Sequence, residues 1–143
     1  MDPFSALASA IAIAGLAEKI ITKSVLVVHN FRHAPSELDS LTARVHLLQD
    51  LVRRVELRRQ KLCLAKEIEV SVYNCFIEAE QILTEIIKQS EEYDKPSQGK
   101  DKRLRLKWAF KGSHQMSVWD VRLQGIANSL YGIFLLMLLV PGG

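Results

Sequence analysis

The stretch SELDSLTARVHLLQDLVRRV, residues 36–55, decides the fold. Its apolar residues Leu38, Leu41, Val45, Leu48, Val52 and Val55 fall at spacings of 3, 4, 3, 4 and 3, while Arg44, Asp50, Arg53 and Arg54 lie off that seam. A period near 3.5 belongs to an α-helix with one buried stripe, because a strand would alternate every second residue. Ser36-Glu37-Leu38-Asp39 opens it as a near capping box, with Asp39 in place of the usual Glu.

Working outward, Ile68, Val72, Cys75, Ala79, Ile82 and Ile86 form a second stripe, one residue out of phase with the first. Neither Pro nor Gly occurs between Ser36 and Lys95. A single helix over 37–92 would nevertheless reach about 84 Å at 1.5 Å per residue, too long for a domain of this size. A turn is therefore expected near Arg59–Lys66, making 36–93 a helical hairpin. Upstream, Asp2-Pro3 is a favourable helix start. The segment 1–31 is apolar on nearly every side and uncharged from Pro3 to Ala17, the pattern of a helix buried all round or destined for lipid. Ala6, Ala10 and Ala14, with Gly15 beside them, form a small-residue ridge that would let another backbone approach closely. Pro35 ends the segment.

Downstream, Asp94 to Gly99 reads as a loop. A short basic helix over Asp101–Phe110 is expected within 94–112, ending at Gly112-Ser113. Trp119, Leu123, Ile126, Leu130, Ile133 and Met137 then mark a last helix within 113–140. The expected fold is all-α: a single-domain helical bundle of four long helices plus one short helix. Its core is expected to include Leu41, Leu48, Val52, Val72, Ile82, Trp108, Leu123 and Leu130. The 143 residues allow one domain, and seven glycines with four prolines are too few for a turn-rich all-β fold.

Two segments imitate membrane signals. Asp2 stands where a signal peptide carries basic residues, so no signal peptide is expected. Leu123–Val140 is uncharged over 18 residues, the lower limit for a span, but Gln124, Asn128 and Ser129 interrupt its first half. A buried bundle helix is the preferred reading there.

No phosphate-binding glycine loop or nucleophile elbow is present, and an enzyme or a bound cofactor is not expected. His29 and His33 have metal-ligand spacing on a helix but no completing ligand, so no metal is expected. Glu78, Glu80 and Glu85 read as a solvated face. Cys63 and Cys75 read as reduced core residues of a cytosolic protein. The net charge of +3 conceals −4 over 61–93 and +5 over 94–112. Lys100, Lys102, Arg103, Arg105, Lys107 and Lys111, with Trp108 and Phe110 among them, suit contact with anionic headgroups, where each base is worth about 1 kcal/mol. A nucleic-acid partner is not expected from so short a basic run.

The opening Met1-Asp2-Pro3-Phe4-Ser5-Ala6-Leu7-Ala8-Ser9-Ala10-Ile11-Ala12-Ile13-Ala14-Gly15-Leu16-Ala17 resembles the start of the HeLo-like N-terminal domains of fungal NOD-like receptors (STAND proteins). The block Arg105-Leu106-Lys107-Trp108-Ala109-Phe110-Lys111, followed by Val121, Leu123, Ile126 and Leu130, resembles the last block of that family. Gly15 and the alanine ridge stand where several such domains carry a glycine-rich zipper. The resemblance implies a bundle similar to that of the mixed-lineage kinase domain-like pseudokinase. It further implies a cell-death effector of fungal innate immunity or allorecognition (heterokaryon incompatibility).

In such a protein oligomerisation releases the N-terminal helix, here through Phe4, Leu7, Ile11, Ile13 and Leu16, into the plasma membrane, with pore formation as the outcome. Implied partners are anionic membrane lipids, further copies of the chain, and a NOD-type receptor module in cis or in trans. Implied localisation is cytoplasmic, moving to the plasma membrane on activation. The competing expectation is a soluble protein–protein interaction module whose heptad seams engage partner helices. A tail-anchored protein using Leu123–Val140 is a third.

Overall fold

The computed structural model describes the backbone of residues 3–30, 36–94 and 101–140, and side chains within 5–24, 39–89 and 114–140. Among the described residues there are four helices and no strand: α1 (Pro3–Asn30), α2 (Ser36–Lys61), α3 (Lys66–Asp94) and α4 (Asp101–Leu138). Together they form an all-α bundle around one apolar core.

α1 packs on α2 and α3, and α4 packs on the same two helices from the other side. α1 and α4 make no contact among the described residues, and α2 and α3 barely meet. The spatial order around the bundle is therefore α1, α2, α4, α3. The two helices of the expected hairpin stand diagonally across the core, although only Leu62–Ala65 separate them. A heptad stripe specifies which face of a helix is buried but not which helix covers it, so nearness in chain did not translate into nearness in space. Arg122 of α4 reaches Glu85 of α3, which requires the chain to reverse between these two helices. With the reversal at Leu62–Ala65, α2 and α4 run parallel.

Each helix buries one stripe. In α2 it is Leu41, Val45, Leu48, Val52 and Val55, joined by Leu51. In α4 it is Met116, Trp119, Leu123, Ile126, Leu130, Ile133 and Met137. α3 buries a broader arc: Val72, Ala79, Ile82 and Ile86 are joined by Phe76, Leu83 and Ile87, while Ile68 and Cys75 are only half-buried. Phe76 is the largest fully buried side chain, and a strict two-in-seven stripe passes beside it. A helix covered by two neighbours buries about three positions in seven, which accounts for the added residues.

The separate short helix expected over Asp101–Phe110 is instead the beginning of α4, which runs unbroken through Gly112-Ser113. One helical glycine costs only about 1 kcal/mol relative to alanine, less than ending and restarting a helix. Trp108, expected in the core, lies outside the described side chains.

α1, apolar on nearly every side, and the end of α4, preferred as a bundle helix, each bury one side and leave apolar residues outside. In α1 the buried positions are Ala6, Ser9, Ile13, Ala17, Ile20 and Ser24, and Ala8, Ile11, Ala14 and Gly15 face outward. A four-residue step advances 400°, so the ridge Ala6–Ala10–Ala14 winds out of the core by about 40° per step. It ends at Gly15, where a Cβ would meet nothing within 4 Å. Val121, Tyr131, Leu135, Leu136, Leu138 and Leu139 of α4 are likewise exposed. Cys63, expected in the core, is exposed in the α2–α3 turn.

Candidate functional site

The apolar N-terminal helix does not present its candidate membrane residues on one face. Ile13 is 0% exposed and Ile11 is 64% exposed. Leu7 and Leu16 are half-buried, Leu16 against the core, and the side chain of Phe4 lies outside the described residues. Two residues of helix separate Ile11 from Ile13 by about 200°, so one must face away from the core when the other faces into it.

Among the described residues, α1 buries few large side chains fully, although Leu16 and Ile21 pack partly against the core. Its buried apolar side chains are two isoleucines and two alanines, whereas α2 buries six large aliphatic ones. One polar anchor is Ser9, whose Oγ donates to Glu80 Oε2 of α3 at 2.8 Å. That bond is part-buried and its acceptor is a carboxylate, which places it among the stronger protein hydrogen bonds. Glu80 thus ties α1 to α3 and Glu85 ties α3 to α4, so neither is simply a solvated carboxylate. Glu78 is exposed.

Across the bundle, Arg44 Nε donates to Asp120 Oδ1 at 3.2 Å, joining α2 to α4. At the α2–α3 turn, Arg59 grips Glu56 with two hydrogen bonds, Nη2 to Oε1 at 2.7 Å and Nε to Oε2 at 2.8 Å. Its Nη1 reaches Glu69 Oε2 at 3.4 Å, and Gln60 Nε2 donates to Glu56 Oε1. Arg59 is 7% exposed and Glu56 4%. Hydrogen bonding to the Glu56 carboxylate raises the Arg59 pKa above its ordinary value, outweighing the opposing effect of burial. Because Glu69 lies in the first turn of α3, this grip sets where α3 begins relative to α2. The sequence carried a signal for it: the stripe through Val52 and Val55 lands next on Arg59, a charged residue where the pattern calls for an apolar one.

Of the basic residues expected at headgroups, Lys102, Arg103, Arg105, Lys107 and Lys111 have their backbones in α4 but side chains outside the described set. Lys100 lies outside the described residues altogether. The same holds for the side chains of His29 and His33. Cys75 is half-buried, and desolvation, aided by nearby Glu78, raises its thiol pKa above the ordinary value.

Two stretches of helix are long and apolar enough to cross a bilayer, Ser5–Ser24 and His114–Leu138, and each is mostly outside the core, with 28% and 33% buried. Core helices of soluble bundles share this length and composition. No protein-family model matches the chain, and no match is found among curated proteins or solved structures.

Proposed function

We propose that the chain is a HeLo-like, membrane-targeting cell-death domain of a fungal NOD-like receptor, cytoplasmic at rest and activated by oligomerisation. On activation α1 leaves the bundle and enters the plasma membrane. The observation that carries this reading is the mismatch within α1: a helix uncharged from Pro3 to Ala17 whose fully buried apolar side chains, among the described residues, are two isoleucines and two alanines, with Leu16 and Ile21 only partly buried against the core. The large apolar surface that such a helix leaves outside the core is costly to keep in water and is taken up by lipid. α1 and α4 lie at opposite corners, so α1 can leave without disturbing any α4 packing. The basic residues of 100–111 would then sit at the headgroups.

Vesicle flotation with dye release tests the reading by comparing the chain, with and without an oligomerising fusion, against a version beginning at Lys19. Leakage on anionic vesicles that vanishes on truncation supports it. A folded protein that neither binds nor leaks, even when oligomerised, overturns it in favour of a soluble interaction module.

A further inference from the structure

A second surface, away from α1, has the composition of a bilayer contact. On α4, Leu138 follows Asp120 by eighteen residues, five full helical turns, and so lies on the edge where Asp120 meets Arg44 of α2. Tyr131 and Leu135 lie beside that line on its outer side, about 20° and 60° round the helix, and Leu139 follows just past the helix end, all of them exposed, Leu139 at 79%. On α2, Arg58 follows Arg44 by fourteen residues, close to four turns, and Lys61, three residues later, lies about 100° round from Arg44 towards the outside of the bundle. Because α2 and α4 run parallel, Arg58 and Lys61 stand level with Leu135 and Leu138.

The charge on the α2–α4 edge itself is basic. Residues 121–140 hold no acidic residue, and Asp50 is engaged by Arg54 and Glu56 and Glu69 by Arg59; exposed Glu67, in the first turn of α3, is a carboxylate at this end on the helix diagonal to α2. The Arg58 Nε is buried and has no hydrogen-bond partner among the described residues. An arginine whose stem is packed and whose guanidinium lacks a carboxylate is arranged to deliver its charged end to an anion at the rim.

We infer that the outer edge formed by the end of α4 and the end of α2 docks the folded bundle on an anionic lipid surface. Tyr131, Leu135, Leu138 and Leu139 enter the headgroup–acyl boundary, and Arg58 and Lys61 meet lipid phosphates beside them. This rests on the membrane reading for the kind of partner but does not require release of α1. Charge selects a bilayer over a second copy of the chain. Pairing two copies through this edge brings two uncompensated basic rims into one apolar interface, whereas an anionic leaflet neutralises them.

Flotation on phosphatidylcholine vesicles, with and without 30% (roughly) phosphatidylserine, tests the inference using the full chain. The variants are Arg58→Gln/Lys61→Gln, Leu135→Ser/Leu139→Ser and Ile11→Ser. All change exposed or rim side chains, and the glutamine pair keeps the apolar face intact should the serine pair fold poorly. The wild type is expected to float only with anionic vesicles. The glutamine pair is expected to lose roughly thirtyfold in partitioning, at about 1 kcal/mol per base. The serine pair is expected to lose at least as much. Ile11→Ser is expected to float normally while losing dye release. Normal flotation of both double variants overturns the edge, and leaves the α1 reading standing if Ile11→Ser still abolishes leakage. Flotation of the wild type on neutral vesicles, or on none, overturns it as well. So does a dimer in light scattering that the serine pair dissolves while the glutamine pair floats normally.

Discussion

Ile11 and Ile13 are the same side chain two residues apart on one apolar helix, and the bundle assigns them opposite duties. Ile13 is fully buried, so Ile13→Ala removes packed methylenes and leaves a cavity, costing about 2–4 kcal/mol. Ile11 is 64% exposed, so Ile11→Ser changes folding stability by less than about 0.5 kcal/mol. In a bilayer the order reverses. A freed α1 buries both side chains, and loss of either removes about 1.5–3 kcal/mol of transfer energy. Ile13→Ala, however, also weakens the hold of the bundle on α1 by a similar amount. Vesicle leakage should therefore fall about tenfold or more for Ile11→Ser, and should persist for Ile13→Ala, reached at a lower degree of oligomerisation. Urea denaturation and dye release on the same preparations supply both readings. Equal destabilisation by the two substitutions would refute the orientation of α1. Equal loss of leakage would refute the link between bundle hold and release.

Four further outcomes rest on the described residues. Arg59→Met strands the buried Glu56 carboxylate and should cost about 3–5 kcal/mol by urea denaturation, with much of the loss recovered in Arg59→Met/Glu56→Gln, where no charge is left behind. Cys63 should react with a thiol reagent far faster than Cys75, whose pKa is raised by burial. Because the folded state holds the Cys75 proton more tightly, its stabilising effect is complete below the ordinary thiol value of 9.0 and is lost as pH rises beyond it, a slope that Cys75→Ala should remove from unfolding curves taken between neutral and alkaline pH. Gly125→Ala and Gly132→Ala should each raise stability by about 0.5–1 kcal/mol in thermal unfolding, since both glycines sit inside α4 with open space where a Cβ would go.

Legibility varied with the physics of each element. The stripes of α2 and α4 are the clearest: six residues of 38–55 were spaced for one face, and those whose side chains are described are buried there. α3 was half legible, because its buried arc contains Phe76, Leu83 and Ile87 beside the stripe that periodicity singled out. The turn at Leu62–Ala65 carries no Gly or Pro, so only helix length and a phase shift pointed towards it. The candidate site was least legible. Nothing in an evenly apolar α1 distinguishes Ile11 from Ile13, and hydropathy is blind to the side a helix turns inward. The end of α4 read as core because its residues are apolar, yet a helix at the corner of a bundle has partners on one side only.

By itself, then, the sequence determined that this chain is helical, roughly where three of the helices run, and which stripe of two of them is buried. Those properties depend on spacing along the chain, and the 3.6-residue turn converts spacing directly into a face. Only the tertiary structure decided that α2 and α3 stand diagonally, that the basic stretch runs on into α4, and that Arg59 belongs inside. It also decided which apolar residues of α1 and α4 remain in water. These depend on which helix covers which face, and burial of apolar area is non-directional: many pairings satisfy the same stripes, and packing of the whole bundle selects among them.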